Sequence, residues 1–196
     1  MDFSAVILAG GESSRMGRDK AWIKTDGQTL IAAAVEKARR AGAGEVFISG
    51  RSGEDYSALQ CPVLLDLEPG FGPLGGIERA LHACTAPLLL VLAVDMPHMT
   101  ADYLQRMAAS CDRETGIVPK LKGRLEPLAA IYPRHCHEIA LNSIAQSRHA
   151  VRDFAEACRK NKAVRIAAVN PADESCFANW NTPADAAARF VRAGSG

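Results

Sequence analysis

Long apolar runs, closely spaced cysteines, an excess of either charge and the two common nucleotide fingerprints are all missing from this chain. The longest apolar stretch, 86–96, falls short of the roughly 20 residues that a membrane span requires, and it contains Asp95. Asp2 stands where a secretory leader would carry basic residues, so no signal peptide is expected. With 23 Lys and Arg against 22 Asp and Glu, the net charge is +1, which gives no whole-chain case for nucleic acid or an acidic membrane as partner. Cys61, Cys84, Cys111, Cys136, Cys158 and Cys176 are scattered, which excludes zinc-ribbon and thioredoxin spacings. They read as small buried apolar residues of a reducing cytoplasm. His135-Cys136-His137 would point alternate ligands to opposite faces of a strand or around a helix axis, so it reads as a helix start rather than a metal site. No repeat, low-complexity tract or linker divides the 196 residues, and one domain over 1–196 is expected.

What is present begins with Phe3-Ser-Ala-Val-Ile-Leu-Ala-Gly-Gly11, followed by Glu-Ser-Ser-Arg-Met-Gly-Arg-Asp-Lys20. The apolar run reads as a buried first strand. Paired glycines at its end let the backbone turn sharply and approach a ligand closely. Arg15 and Lys20 add two cations to the same loop, and exposed N–H groups with cations suit a polyphosphate. The spacing is neither G-x-x-x-x-G-K-[ST] nor G-x-G-x-x-G.

Further along, helices are expected over 28–41, 51–59, 77–84, 101–110, 135–147, 150–159 and 183–193. Strands are expected over 45–49, 61–65, 86–94, 116–120, 126–132 and 163–169. The segment 67–76, with four glycines and two prolines, reads as a shaped loop. The run 86–94 is apolar almost throughout and is expected at the centre of the sheet. Lys122-Gly123 reads as a hairpin turn that breaks the β-α alternation, so the sheet should be mixed. The fold class is therefore α/β, with a mostly parallel, partly mixed sheet.

Three expected strand ends deliver a glycine-rich cationic loop, Asp66 and Asp95 to the edge where open α/β sheets bind ligands. Asp95 reads either as a hard-cation ligand at the strand tip or as a helix cap or ion-pair partner. Asp66 has the same choice, with an Asx turn as its alternative. Arg15 would offer a bidentate fork to phosphate and Lys20 a point charge; both could instead be surface charges. Arg124 and Glu126 lie on one face of an extended segment, able to read a polar ring or to form a solvated ion pair. Thr182 with Pro183 starts a helix, and Asn179 and Asn181 exceed what capping needs.

Taken together, LAGGESSRMGRDK, DLEPGFGPLGGI, VDMP, GRLEPLAAIY and NWNTPAD resemble, in order, the motifs of the molybdenum cofactor guanylyltransferases, the MobA family. The resemblance runs from Val6 to Asp185. It implies a single Rossmann-like three-layer α/β domain and transfer of GMP from GTP, with Mg²⁺, onto molybdopterin, releasing pyrophosphate. Carried over by motif, Leu8, Ala9, Gly10 and Gly11 would contact the nucleotide, Arg15 and Lys20 its phosphates. Asp66 would lie in the nucleotide pocket, and Asp95 would hold Mg²⁺. Gly75, Gly76, Arg124, Glu126, Asn179 and Asn181 would face the acceptor. Residues 1–100 would form mainly the nucleotide-binding half and 101–193 the acceptor half. The family often carries an asparagine after the second strand; here Ser49-Gly50-Arg51 stands there, and Ser49 is expected to take its place.

The resemblance also implies a cytoplasmic enzyme, with molybdenum insertion proteins and apo-molybdoenzymes as possible partners. The catalytic set would be Lys20, Arg15 and Asp95. A phosphate acceptor is already largely dianionic near neutral pH and needs no general base. CMP transfer to molybdopterin, transfer to another small phosphorylated acceptor, and a non-catalytic carrier of nucleotide or cofactor are the alternatives.

Overall fold

Strand β1, Phe3–Leu8, is buried at every position, and its side chains divide by parity. Phe3, Ala5 and Ile7 enter one apolar cluster, Val6 and Leu8 the other. A strand covered on both faces needs apolar residues throughout, which is the pattern here. The structure, a computed structural model, describes residues 2–10, 20–25, 27–65 and 70–178.

The remaining elements are β2 (Lys24–Thr25), β3 (Gln28–Thr29), α1 (Leu30–Arg40), β4 (Glu45–Gly50), β5 (Val63–Leu65), α2 (Gly72–Ala83), β6 (Leu88–Ala93), α3 (Ala101–Ala109), β7 (Gly116–Leu121), β8 (Arg124–Leu125), β9 (Ala129–Pro133), α4 (Cys136–Ala145), α5 (Val151–Lys160) and β10 (Val164–Ala168). Among the described residues the main sheet runs β10-β7-β9-β6-β1-β4-β5, with β8 paired to β7. Helices α1 and α3 pack on the face of Ile7, and α2, α4 and α5 on the face of Val6. This is the three-layer α/β architecture that the sequence predicts.

β6 occupies the middle of the order, between β1 and β9, and all six of its residues are buried. β1 pairs in parallel with β4 and β6, and β10 with β7; β9 runs against both β6 and β7. The Lys122-Gly123 turn closes β7 onto β8 with both residues at positive φ, 47° and 86°, the backbone of a type I′ hairpin. Reversal of β9 puts its entry, at Leu128, on the same side of the sheet as the exits of β1, β4 and β6.

Helix α1 starts at Leu30, slightly after the expected 28, because Thr29 caps it through a hydroxyl that accepts from Ala32 N at 3.3 Å. Helix α2 begins at Gly72, five residues before the expected 77, with Pro73 in its first turn. Gly75 and Gly76, which read as loop, lie inside this helix, while Gly70 at φ +116° precedes it in a turn and Gly72 at φ +56° is its first residue. A Cβ at Gly76 would lie 2.2 Å from Ser49 Oγ, so the missing side chain lets α2 sit directly on β4. The expected helix over 51–59 reduces to a 3-10 turn at Ser57–Leu59, since Gly53 has φ +91° and the Asp55 carboxylate takes Ser57 N in an Asx turn at 2.9 Å. The 3-10 stretch Pro171–Phe177 has no counterpart among the expected elements. His135-Cys136-His137 does begin a helix, α4, with Cys136 buried. The expected closing helix over 183–193 lies outside the described residues. No described helix is long and apolar enough to cross a membrane.

Candidate active site

Chain order reverses direction at β1: β4 and β5 extend the sheet to one side, and the chain then crosses to β6 on the other. Ligands in open α/β sheets bind beyond the carboxyl ends at such a point. Three backbone bonds tie the strand ends together there. Ala9 N donates to Ser49 O at 2.9 Å, Val94 N to Leu8 O at 3.2 Å, and Ala93 N to Leu128 O at 2.8 Å. They frame a cavity of about 200 Å³ lined by Leu8, Ala9, Gly10, Lys20, Ser49 and Asp95, with Pro73, Ala93, Val94 and Leu128 completing the wall.

Every described residue expected on the nucleotide therefore reaches one cavity. Gly11, Arg15 and Asp66 lie outside the described residues, as do Asn179 and Asn181. Ala9 contributes no free N–H, since Ser49 O already accepts it. Ser49 is itself 4% exposed, and its Oγ packs where α2 lacks a side chain at Gly76. Its carbonyl, more than its hydroxyl, shapes the strand end.

Asp95 follows β6 on the cavity wall. Burial pushes its carboxyl above the usual carboxylate range, and the Lys20 ammonium opposes that shift. A desolvated carboxylate beside one cation is suited to a further positive ligand. Mg²⁺ commonly takes only one or two carboxylates, with water and substrate phosphates completing its shell, so Asp95 is chemically fit to hold it. Lys20 opens a one-turn 3-10 helix, Lys20–Trp22, whose middle residue Ala21 is fully buried.

Gly75 and Gly76 are buried within α2 and do not line this cavity; Gly76 meets Ser49 and Leu8 instead. Arg124 lies in β8, and Glu126 between β8 and β9, anchored by its N–H to Pro119 O at 2.9 Å. Burial raises the Glu126 carboxyl, opposed by the guanidiniums of Arg124 and Arg152. Arg152, near the start of α5, was missed: it sits in an ordinary amphipathic helix, and only the tertiary fold brings it to Glu126. Leu128 was missed for a related reason, because nothing local shows that β9 inserts beside β6.

A larger cavity of about 430 Å³ lies at the opposite end of the sheet, where Pro87 enters β6 and Arg134 leaves β9. His82, His135 and His137 line it. His137 Nε2 is 2.8 Å from Glu78 Oε1, and His135 Nδ1 is 3.7 Å from Glu114 Oε2.

Fold and site together define a Rossmann-like nucleotidyltransferase. Residues 5–167 match the family model of the MobA-like NTP transferase domain, and the chain belongs to that family. A protein of Opitutus terrae named "Probable molybdenum cofactor guanylyltransferase" is 35% identical over 185 residues, 93% of this chain and 92% of its own. Among solved structures, molybdopterin-guanine dinucleotide biosynthesis protein A from Archaeoglobus fulgidus superposes with a TM-score of 0.76 at 23% identity, over 98% of this chain and all of that one. The 2-C-methyl-D-erythritol 4-phosphate cytidylyltransferase of Thermus thermophilus gives 0.74 at 21% identity, over 98% of this chain and 99% of that one. At these identities the two structures speak for the fold.

Proposed function

We propose that this enzyme transfers GMP from GTP to the terminal phosphate of molybdopterin, forming the guanine dinucleotide cofactor and releasing pyrophosphate. The observation that carries the proposal is the meeting of Lys20 and Asp95 with the exits of β1 and β4 in one cavity at the sheet's reversal point. The curated relatives named as guanylyltransferases supply the nucleotide and the acceptor. Delivery of the product to apo-molybdoenzymes, with molybdenum insertion proteins as partners, belongs to the same proposal.

An oxygen of the acceptor phosphate bonds to the α-phosphorus of GTP while the bond from that phosphorus to the bridging β-phosphate oxygen breaks. The acceptor arrives as a dianion, so no side chain has to remove a proton. The main barrier is the approach of one polyanion to another. Lys20 places a compact positive charge where negative charge grows on the departing pyrophosphate. Backbone at Leu8, Ala9 and Gly10 presents a side-chain-poor edge against which the nucleoside can lie. Asp95 would hold Mg²⁺, which when bound would supply positive charge to neutralise and orient the triphosphate. Arg124 and Arg152 lie close enough to Glu126 to act on its charge, and the three would grip the acceptor's polar ring system. In-line positioning and electrostatics then supply most of the acceleration.

The test is pyrophosphate release from each of the four NTPs with Mg²⁺, with and without molybdopterin. Release from GTP alone, only with acceptor, is expected. A preference for CTP would replace the base and keep the chemistry. Binding of GTP without release from any NTP would replace the enzyme with a carrier.

A further inference from the structure

Lys20 and Ser49 face the same cavity from segments far apart in sequence, and two aromatic rings stand between their anchors. Trp22, two residues after Lys20, stacks on Tyr56 with ring centroids 5.6 Å apart and planes inclined by 26°. Tyr56 is 4% exposed. Its ring lies against the end of β4 so closely that a Cβ at Gly50 would be 2.6 Å from Cε2. Its hydroxyl accepts Arg51 N at 3.1 Å. On the other side, Ile23 N donates to Lys20 O at 3.1 Å, and Ala21 is fully buried, so the Trp22 ring and the Lys20 backbone belong to one turn. The Trp22 indole N–H is buried with no acceptor among the described residues, so what the described structure gives this ring is stacked area and not a hydrogen bond.

We infer that Trp22 and Tyr56 are positioning residues for the transfer reaction: their stack fixes the distance between Lys20 and the strand end at Ser49-Gly50-Arg51. The inference rests on the transfer proposed above. A misplacement on the order of 1 Å can cost ~100-fold in rate, so loosening this contact acts on Lys20 without touching substrate.

The experiment compares Trp22→Leu, Tyr56→Leu and the conservative Trp22→Phe, each alone and in a Lys20→Ala background, by steady-state kinetics. Trp22→Leu and Tyr56→Leu are expected to lower kcat at least ~10-fold with KM for GTP little changed, and Trp22→Phe to recover most of the rate. In the Lys20→Ala background the leucine variants should cost little more, because the group they position is gone. Equal losses in both backgrounds, or a loss confined to KM, would overturn the inference. A second readout does not depend on turnover: the acylation rate of Lys20 by an amine-reactive ester, located by peptide mass spectrometry. It should change in both leucine variants and return in Trp22→Phe; an unchanged rate overturns the inference. Failure of the parent protein to release pyrophosphate overturns the transfer proposal instead, and the Lys20 acylation rate then decides the inference alone.

Discussion

The two ends of the central sheet carry two kinds of cavity, and the smaller is the better candidate site. At the amino end the space is about 430 Å³, walled by side chains that satisfy one another. His137 pairs with Glu78 across α4 and α2, and His135 faces Glu114, while Arg113, Arg134 and Glu138 stand in solvent around them. At the carboxyl end the space is about 200 Å³, and its wall is made of strand ends. There a carboxylate is held partly desolvated, with Lys20 offsetting it among the described residues. Volume alone would favour the amino end. Convergence of backbone ends with a desolvated carboxylate and a lysine favours the carboxyl end.

The sharpest way to break this comparison is to remove Asp95. Asp95→Asn is expected to reduce GTP-dependent turnover at least ~100-fold, the scale of losing one electrostatic group at the reacting centre. The same change should leave thermal stability at neutral pH at or above the parent's. Burial raises the Asp95 carboxyl above its unfolded value, so its favourable share of stability is present at low pH and lost as pH rises through the folded value. The amide removes that burden. By the same sign, the acid limb of turnover at subsaturating Mg²⁺ should fall above the ~3.9 of an exposed aspartate. A folded Asp95→Asn protein with near-normal turnover would return Asp95 to a structural role.

Next in size is the contact that seats α2 on the site. Gly76→Ala would bring a methyl to 2.2 Å from Ser49 Oγ and 3.2 Å from Leu8 Cδ2, with an expected loss of about 1–3 kcal/mol in urea unfolding and a raised KM for GTP. Adding Ser49→Ala should recover part of both. The smallest effect is expected at the other end. His137→Ala breaks a half-buried pair and should cost about 1–2 kcal/mol of stability, with turnover within ~2-fold of the parent. A large loss of turnover there would make the amino end part of the site.

Strands β1 and β6 were legible in the sequence because burial on both faces leaves continuous apolar runs, and the hairpin at Lys122-Gly123 announced itself through Gly123, which tolerates positive φ. Glycine density misled at 75–76, where Gly76 signals close packing of a helix on a strand, while Gly70 and Gly72 do keep the positive φ of a turn. Local sequence cannot show which partner a glycine accommodates, so the Gly76–Ser49 contact and the Tyr56 ring on Gly50 were invisible. In the cavity, Gly10, Lys20 and Asp95 were legible because each lies where a strand or its loop ends, whereas Leu8, Ala9 and Ser49 came only from the resemblance to the family. Leu128 depends on β9 entering antiparallel beside β6, and Arg152 and the Trp22–Tyr56 stack on contacts between segments far apart in sequence.

Hydrogen–deuterium exchange of the intact protein with and without GTP and Mg²⁺ compares the two ends directly. Protection at 8–10 and 93–95, with 111–114 and 134–138 unchanged, is the expected result. Protection confined to 111–114 and 134–138 would place the nucleotide at the amino end and contradict the assignment of the site.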